Sequence, residues 1–553
     1  MATPLTFRQR LDLGWQVPER QTAVVVVSLI GLLGAAALVV FVKSLKLEAR
    51  TGFAAAVLVG TAGIDLAILA RLVQPRRGAL PRWHQGSRPP AQCKAPIAQG
   101  NMPPSGCLPA PIRATPAPPL VVPQPLPPVA PLPAALSEMG NYLLIHAVAP
   151  SQALVRSNQG HIVQNQAAGD MIGLLTEFRS HADSMRIFGA IGSPQALPLE
   201  PTTKATIQAM KGVNNRHMVR FQQGDWTDDT DQFLLIIRSL YRKEILNDPR
   251  GMDLIFAEEL YGWMVKGSDQ GGLKEEVVSG FKIFGKEKPF MMGLGTLVGA
   301  VLRHPRFRQI PDVAAVEIWK HFPPIAMRPA ANGALMRTVG VAAAYPHDMG
   351  KMIAVTRALC RVTHVDPRCA ASCVAVNVAA TLMLRGARNF EEISRLACRA
   401  AEAVLEEEMQ AMTPHLSDAD RPQAAQILEN FRRDLRYHLF ATDWQTLDLD
   451  EGYKDGDKAD RIGYTYKCMG AAFVGFRRAL EHANQQNPNP FRAVMEELVR
   501  EGGDTDTNGC VMGALLGAGG FSAPASWSFS GNNNAILAQA HEMIRTIAEK
   551  PTT

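Results

Sequence analysis

The chain has 553 residues, of which 47% are hydrophobic and 20% are charged. This composition is typical of a globular protein, and it excludes a wholly disordered chain and collagen-like or coiled-coil fibres. The net charge of +6 is uneven: residues 1–135 carry 13 Lys and Arg against 4 Asp and Glu, which leaves the remainder mildly acidic. The basic excess lies beside apolar segments, where it can meet anionic lipid headgroups. Since no basic stripe is evident that would neutralise the phosphates of a duplex, we expect no nucleic-acid partner.

The first predicted element is a membrane span. Residues 22–42 are an uncharged run of 21 residues, which as a helix is long enough to cross a hydrocarbon core of about 30 Å. A second apolar run, 53–70, is interrupted by Asp65 and two glycines, so it fits either a second span or a helix lying at or within the membrane. We predict a tail over 1–21, one or two transmembrane helices over 22–74, and a cytosolic body. The alternative is a leader wrongly joined to a soluble enzyme.

The next segment, residues 75–135, is predicted to be a linker. Proline accounts for 18 of the 59 residues from 75 to 133, and a backbone with so few donors cannot sustain a helix or a sheet. Proline also stiffens the segment towards polyproline II. We therefore expect a semi-rigid tether that holds the body away from the bilayer.

Residues 136–553 form the body of the protein. Apolar side chains recur there at helical spacing, for example over 233–241, 390–404 and 511–516, and alternating strand-like runs are scarce. The pattern predicts an all-α fold, with one large multi-helical domain. The eight cysteines of the chain include no C-x-x-C pair, so we expect reduced thiols in the core rather than a zinc site.

Two acidic clusters precede apolar helical runs, one within 225–231 and one within 502–509. Threonine and aspartate at such positions often just cap the first backbone N–H groups of a helix. Capping needs one oxygen per helix, however, while each cluster supplies two carboxylates and a hydroxyl within four residues. Like charges so close repel unless a cation intervenes. Because all the donors are oxygen, the ions expected are two Mg²⁺, with Mn²⁺ as the alternative.

A third element lies upstream, at 168–178. If this segment is helical throughout, Asp170, Gly173 and Glu177 share one face, and the glycine permits a close contact with another helix. By itself the pattern indicates an amphipathic helix in which Glu177 is solvated.

The clusters belong to a series of five motifs: Gly-Asp-x-x-Gly-x-x-x-Glu-Phe at 169–178, Trp-Thr-Asp-Asp-Thr at 226–230, Asn-Gly-Ala-Leu-Met-Arg at 332–337, Thr-His-x-Asp-Pro at 363–367 and Gly-Gly-Asp-Thr-Asp-Thr-Asn at 502–508. In this order they resemble the ADP-ribosylglycohydrolase family, which includes the ADP-ribosyl-acceptor hydrolases and the dinitrogenase reductase-activating glycohydrolase. The resemblance covers about residues 165–530. It implies an all-α fold with a dinuclear Mg²⁺ centre at the bottom of a cleft that binds ADP-ribose.

The resemblance also implies roles for single residues. Glu177 matches the family's cleft glutamate and is the expected catalytic residue. The expected metal ligands match two triplets of the family, with Asp506 as the bridge: Thr227, Asp228 and Asp229, and then Asp504, Asp506 and Thr507. The expected substrate-binding residues match two loops and a histidine of the cleft: Gly293, Gly295, Asn332, Gly333 and His364.

The sequence departs from the family's pattern in two places. The stretch between the first triplet and Gly293 is longer than in compact members, and residues 413–465 resemble an insertion. These are the places where selectivity for an acceptor would be built.

The function expected from the resemblance is hydrolysis of the glycosidic bond between ADP-ribose and an acceptor, which is an ADP-ribosylated protein or a small ADP-ribosyl compound. One alternative is an inactive ADP-ribose-binding or crystallin-like structural homologue, and another is a metal phosphohydrolase. Glu177 and all six expected metal ligands are present, which favours the enzyme. The phosphohydrolase would need a basic phosphate clamp that the sequence does not reveal.

Overall fold

The structure is a computed structural model that describes residues 132–146, 149–193, 196–210, 218, 221–266, 282–283, 286–287, 293–321, 330–451 and 461–550. The predicted tail and transmembrane helices lie outside the described residues, as does the predicted linker up to residue 131. The first described helix begins at Leu132, so the last four residues of the predicted linker are helical. Pro133 is tolerated there because the first turn of a helix does not use its backbone donors.

Helices dominate the part of the chain that the structure describes. The first half contains α1 (Leu132–His146), α2 (Gln152–Gly173), α3 (His181–Phe188), α4 (Thr203–Ala209), α5 (Asp228–Glu244), α6 (Met252–Lys266), α7 (Thr296–Leu302) and α8 (Pro311–Trp319). Between α6 and α7, two short antiparallel strands, β1 (Lys282–Ile283) and β2 (Lys286–Glu287), pair Lys282 with Glu287 and Ile283 with Lys286.

The second half is helical as well. It contains α9 (Leu335–Thr338), α10 (Gly340–Ala344), α11 (Met349–Arg361), α12 (Pro367–Leu384), α13 (Phe390–Met412), α14 (Ala424–Leu439), α15 (Trp444–Leu447), α16 (Thr465–Asn484), α17 (Pro490–Glu501), α18 (Thr505–Ala518) and α19 (Asn533–Ala548). Single 3₁₀ turns occur at Asn332–Ala334, Thr413–His415 and Arg421–Gln423. The predicted all-α fold is therefore confirmed.

Local sequence sets where several helices begin. The side chains of Ser151 and Asn389 accept hydrogen bonds from the third backbone N–H of α2 and α13, respectively. Asp366 caps α12 by accepting from the second position, Arg368 N–H, and Pro367 occupies the first helical position, where its missing N–H costs nothing.

Helix α12 lies at the centre of the core. All 18 of its residues are buried, and it packs against α11, α13 and α16. Among the described helices it is long and apolar enough to cross a membrane, with a mean hydropathy of 1.4, but it lies wholly inside the fold. The six cysteines within the described residues are free and buried.

Helices α2 and α18 are in backbone contact. A Cβ atom added to Gly169 would lie 1.9 Å from the carbonyl oxygen of Gly509, and one added to Gly513 would lie 2.3 Å from that of Asn165. The partners run in opposite directions along the two sequences, so the helices are antiparallel. Only glycine allows this approach. It brings the end of α2 against the start of α18, where Gly173 meets Thr505.

We expect Gly513→Ala to destabilise the domain by about 1–3 kcal/mol, because the added methyl group forces the two backbones apart. Gly140 is the matched control: it is also helical, yet an added Cβ meets nothing within 4 Å. Gly140→Ala should be neutral or stabilising by up to about 1 kcal/mol, since alanine is the better helix former. Urea unfolding measures both, and equal stability of the two variants would contradict the close contact.

Candidate active site

Three helix ends meet where α2 approaches α18. Asp170, near the end of α2, is buried and accepts hydrogen bonds at the start of α5, from the backbone N–H of Thr227 at 3.0 Å and from the N–H and hydroxyl of Thr230 at 3.1 and 2.7 Å. Asp170 thus caps α5 from another helix. The Thr227 hydroxyl oxygen also caps α5, since it accepts a hydrogen bond from Asp229 N–H. The carboxylates of Asp228 and Asp229 are therefore not needed for capping.

The second acidic cluster opens α18. Asp504 occupies the N-cap position without making a side-chain capping bond, and its Oδ2 instead accepts a hydrogen bond of 2.7 Å from Asn332 Nδ2. The hydroxyl of Thr505 donates to the carbonyl of Gly173 at 2.7 Å, which ties this cluster to the end of α2. Asp506 and Thr507 follow in the first turn and are buried.

The helical pattern of 168–178 alone indicates a solvated Glu177, but the structure does not place this residue on a solvated helix face. Helix α2 ends at Gly173, and Glu177 lies in the turn that follows, with only 4% of its surface exposed. Two backbone hydrogen bonds hold this turn against the start of α18: Phe178 N–H donates to Gly503 O at 2.8 Å, and Gly503 N–H donates to Arg179 O at 2.7 Å. Phe178, at the end of this turn, has a left-handed backbone conformation, φ 58°.

The held turn brings three carboxylates together. One oxygen atom from each of Glu177, Asp504 and Asp506 lies within 4.8 Å of the others. Burial, together with the nearby charge of Glu177, raises the pKa of Asp504 to about 6. Burial also raises the pKa of Asp506, and the charges of Glu177 and Asp229 act in the same direction. Without a counter-charge, this group of acids therefore favours protonation.

The first triplet faces the same group. Burial raises the pKa of Asp229, with contributions from the charges of Asp170 and Asp504. Its Oδ2 accepts a hydrogen bond of 3.0 Å from the Thr227 hydroxyl, and its buried Oδ1 accepts none from the described residues. Burial raises the pKa of Asp228 as well, and Asp229 is its most strongly repelling neighbour.

The predicted substrate-binding residues divide into two groups. Gly293 lies directly on the cluster: it has φ +81°, and an added Cβ would be 2.1 Å from Asp228 Oδ1. Asn332 reaches the cluster through Asp504. Gly333 and His364 instead contact each other, since a Cβ at Gly333 would lie 3.1 Å from the imidazole ring. Gly295 precedes α7, and an added Cβ there would meet nothing within 4 Å.

The candidate active site lies within a part of the chain that matches a known family. The sequence profile of the ADP-ribosylglycohydrolase family matches residues 165–543. The chain belongs to this family. No curated protein matches the chain. A solved structure, described as an ADP-ribosylglycohydrolase-related protein complex, is similar at 18% identity with a TM-score of 0.42, covering 71% of this chain and 99% of that one.

Members of this family are typically metal-dependent, and the residues fit a divalent ion. Asp229 Oδ1 is buried without a hydrogen bond from the described residues, which is costly for a carboxylate oxygen unless something positive lies beside it. The surrounding side chains offer carboxylate and hydroxyl oxygens, which are the hard metal ligands that Mg²⁺ and Mn²⁺ prefer. A divalent cation would relieve the repulsion among the acids at both helix starts.

Sequence reasoning missed one residue beside the cluster. Gly463 O accepts a hydrogen bond of 3.0 Å from Asn332 N–H, and a Cβ at Gly463 would lie 3.4 Å from Asp504 Oδ2. The pairing of Ala331 with Tyr464 continues this contact as an isolated antiparallel bridge. Gly463 falls within the segment interpreted as an insertion, and no motif marks it, because its role depends on a contact with a loop 130 residues away in the sequence.

Proposed function

We propose that this chain is a Mg²⁺-dependent hydrolase that cleaves the glycosidic bond between ADP-ribose and an acceptor, either a protein side chain or a small molecule. The observation that carries the proposal is the buried carboxylate group of Glu177, Asp504 and Asp506 in a chain of the ADP-ribosylglycohydrolase family. The family supports a glycohydrolase; the metal, the acceptor and the residue roles are parts of the proposal.

The reaction breaks the bond between the anomeric carbon of the ribose and the acceptor atom, and a water molecule supplies the new hydroxyl group. Positive charge develops on the ribose as that bond lengthens. The helix ends hold the carboxylates in place before the substrate binds. These carboxylates can therefore stabilise the positive charge on the ribose without any change in their own positions. The burial of the cluster keeps bulk water away from the reacting atoms.

The proposed metal ligands are Thr227, Asp228, Asp229, Asp504, Asp506 and Thr507. Two Mg²⁺ ions held there, or Mn²⁺ as an alternative, would supply orientation of the ribose hydroxyls and acidification of water. Asn332 fixes the rotamer of Asp504 by its hydrogen bond of 2.7 Å. Gly293 leaves open the space beside Asp228 Oδ1, which a side chain would fill.

Glu177 is the proposed proton carrier. As a carboxylate it can take a proton from the attacking water, and as a carboxylic acid it can give its proton to the departing acceptor atom. The neighbouring acids and the ions decide which of the two occurs.

Turnover assays of the full-length chain test the proposed function. Arginine-linked and serine-linked ADP-ribosyl proteins and a small ADP-ribosyl compound are each incubated with Mg²⁺ and with EDTA, and released ADP-ribose is measured. We expect release from at least one substrate, only with the metal. Tight ADP-ribose binding without any release would instead indicate an inactive homologue, and release of phosphate would indicate a phosphohydrolase.

Removal of the metal should also have effects on the protein that can be measured without a substrate. We expect two divalent ions per chain, and EDTA should lower the melting temperature because repulsion among the acids returns. An ion present at 100 times its Kd stabilises the folded state by about 2.7 kcal/mol. Metal analysis and thermal unfolding measure the two effects; an ion-free protein with an unchanged melting temperature would contradict them.

We also propose that residues 1–74 anchor the protein in a membrane, with the catalytic domain in the cytosol. The support is the uncharged run of 21 residues at 22–42, which has the length of a span. Deleting 1–74 should move the chain from the membrane fraction to the soluble fraction while its turnover is retained. Extraction of the full-length chain by alkaline carbonate would contradict the anchor.

A further inference from the structure

A fully buried arginine lies behind the candidate active site. Arg337 of α9 has no exposed surface, and its guanidinium carbon is 4.9 Å from the ring centroid of Phe256. Its Nη1 donates a hydrogen bond of 2.7 Å to Gln232 Oε1, and its Nη2 donates one of 2.6 Å to Thr363 Oγ1. Both acceptors are neutral. Burial of a charge whose hydrogen-bond acceptors are neutral costs free energy, so stability alone is a weak reason for this charge.

The hydrogen bond from Arg337 to Gln232 connects the arginine to Asp228. Gln232 lies one turn after Asp228 on α5, and its Nε2 donates a hydrogen bond of 2.7 Å to Asp228 Oδ2. A guanidinium has only donors, so it can accept no bond from an amide. Arg337 therefore forces Gln232 to present its oxygen to the arginine and its NH₂ group to Asp228. Asp228 Oδ2 is occupied in this way, and Oδ1 faces Gly293.

The hydrogen bond from Arg337 to Thr363 connects the arginine to His364. Thr363 Oγ1 is 2.8 Å from His364 Nδ1. Since the hydroxyl oxygen accepts from Arg337, its own proton is polarised and available to His364 Nδ1. When the hydroxyl donates to Nδ1, the imidazole carries its hydrogen on Nε2, which is buried and bonded to none of the described residues. Burial lowers the pKa of His364, and the charge of Arg337 lowers it further, which keeps the ring neutral.

We propose that Arg337 is a positioning residue with two effects: it fixes the Asp228 carboxylate of the candidate active site through Gln232, and it fixes the ring tautomer of His364, a predicted substrate-binding residue, through Thr363. The inference rests on the proposed function, because it takes Asp228 as a ligand of the divalent ion. Its tests use readouts other than turnover, so failure of the inference can be told apart from failure of the proposed function.

The first test removes the bond to Asp228. Gln232→Met keeps the side-chain length and removes both the donor and the acceptor, and Mn²⁺ affinity is measured by electron paramagnetic resonance on the full-length chain. We expect affinity at one site to fall by about 10–100-fold, as for other residues that orient a metal ligand. Gln159→Met is the matched control: Gln159 is also buried, but it donates to the carbonyl of Ala343 at 2.8 Å, so Mn²⁺ affinity should be unchanged.

Equal Mn²⁺ affinities of the Gln232→Met chain and the wild-type chain would overturn the bond to Asp228 as a positioning contact. Equal losses in Gln232→Met and Gln159→Met would overturn it as well, because they would show a general effect of loosening the core. A wild-type chain that binds no Mn²⁺ would overturn the proposed metal site, and the role of Arg337 would then be decided by the tautomer of His364.

The second test removes the bond to His364. Thr363→Val keeps the shape of the side chain and removes the hydroxyl, and the tautomer is read from long-range ¹H–¹⁵N NMR spectra of ¹⁵N-histidine-labelled protein, with His364→Gln as the assignment control. We expect hydrogen on Nε2 in the wild-type chain and a mixture of tautomers in Thr363→Val. Hydrogen on Nδ1 in the wild-type chain, or spectra unaffected by the valine, would overturn this part.

The Arg337→Lys variant tests both contacts of Arg337 at once. Lysine keeps the positive charge but cannot bridge Gln232 and Thr363 with the planar fork of a guanidinium. We expect it to weaken Mn²⁺ binding and to alter the His364 tautomer together. Full retention of both would show that charge alone is sufficient and would overturn the positioning role. If the variant does not fold, the Gln232 and Thr363 variants decide the proposal separately.

Discussion

Asp506→Asn should abolish turnover, whereas Asp225→Asn should retain most of it. Asp506 is proposed to bridge the two ions, and the amide keeps the shape of the side chain while it removes the negative charge. Loss of partners that only orient a ligand already costs about 10–100-fold, so loss of the bridge should exceed that range. The measurement is kcat for ADP-ribose release at saturating Mg²⁺, together with the number of ions bound per chain.

Asp225 is the matched control because it lies in the other acidic cluster and is also buried. Its Oδ1 accepts hydrogen bonds from Trp226 N–H at 3.1 Å and from Asn533 Nδ2 at 3.5 Å, within a helix entrance rather than among the clustered acids. Burial raises its pKa to about 6, so a neutral amide costs the fold little. Equal loss of turnover in the two variants would show that the ligands have been assigned wrongly.

The fold class and the two acidic helix starts could be predicted from sequence because their signals are local. Thr227 and Asp504 precede apolar runs by a few residues, and α5 and α18 begin one residue after them. Helix capping and apolar periodicity depend on residues within about four positions of each other. The order of five such motifs was sufficient to identify the family, which the profile match over residues 165–543 confirms.

The environment of Glu177 could not be predicted in this way. Helical phase placed it on an exposed face, but the approach of α18 ends α2 at Gly173 and draws the following turn inwards through Gly503. The contacts of Asn332 with Asp504 and of Arg337 with Gln232 join residues that are 172 and 105 positions apart. Such pairings depend on how the helices pack, and no periodicity in a single sequence encodes them.

The difference between local and long-range contacts also indicates which amino-acid substitutions the site tolerates. The donors of the acidic clusters are supplied by short segments, yet their convergence depends on glycines that allow backbone contact, such as Gly169 against Gly509. Substitution of one of these glycines would displace a whole helix end and therefore move several carboxylates together. An exchange at one carboxylate would alter that ligand alone.

Glu177→Gln is expected to lower kcat by about 10²–10⁴-fold, the range of a general acid or base. Glutamine preserves the size of the side chain, and the turn that holds it is fixed by backbone hydrogen bonds between Phe178, Arg179 and Gly503, which the substitution leaves intact. If the buried Glu177 had only a structural role, the substitution would alter stability and leave kcat of the folded chain unchanged. The two interpretations of Glu177 therefore predict opposite kinetic results.

The controls follow from the position of Glu177 beside Asp504 and Asp506, with the three oxygen atoms within 4.8 Å of one another. If Glu177 carries a proton, the glutamine variant should bind ADP-ribose and both ions with nearly wild-type affinity while kcat falls. Calorimetry measures the ADP-ribose affinity, and metal analysis gives the ion count. Loss of one ion from a folded Glu177→Gln chain would instead make Glu177 a metal ligand, whereas a normal kcat would refute any catalytic role, because an amide cannot transfer the proton at neutral pH.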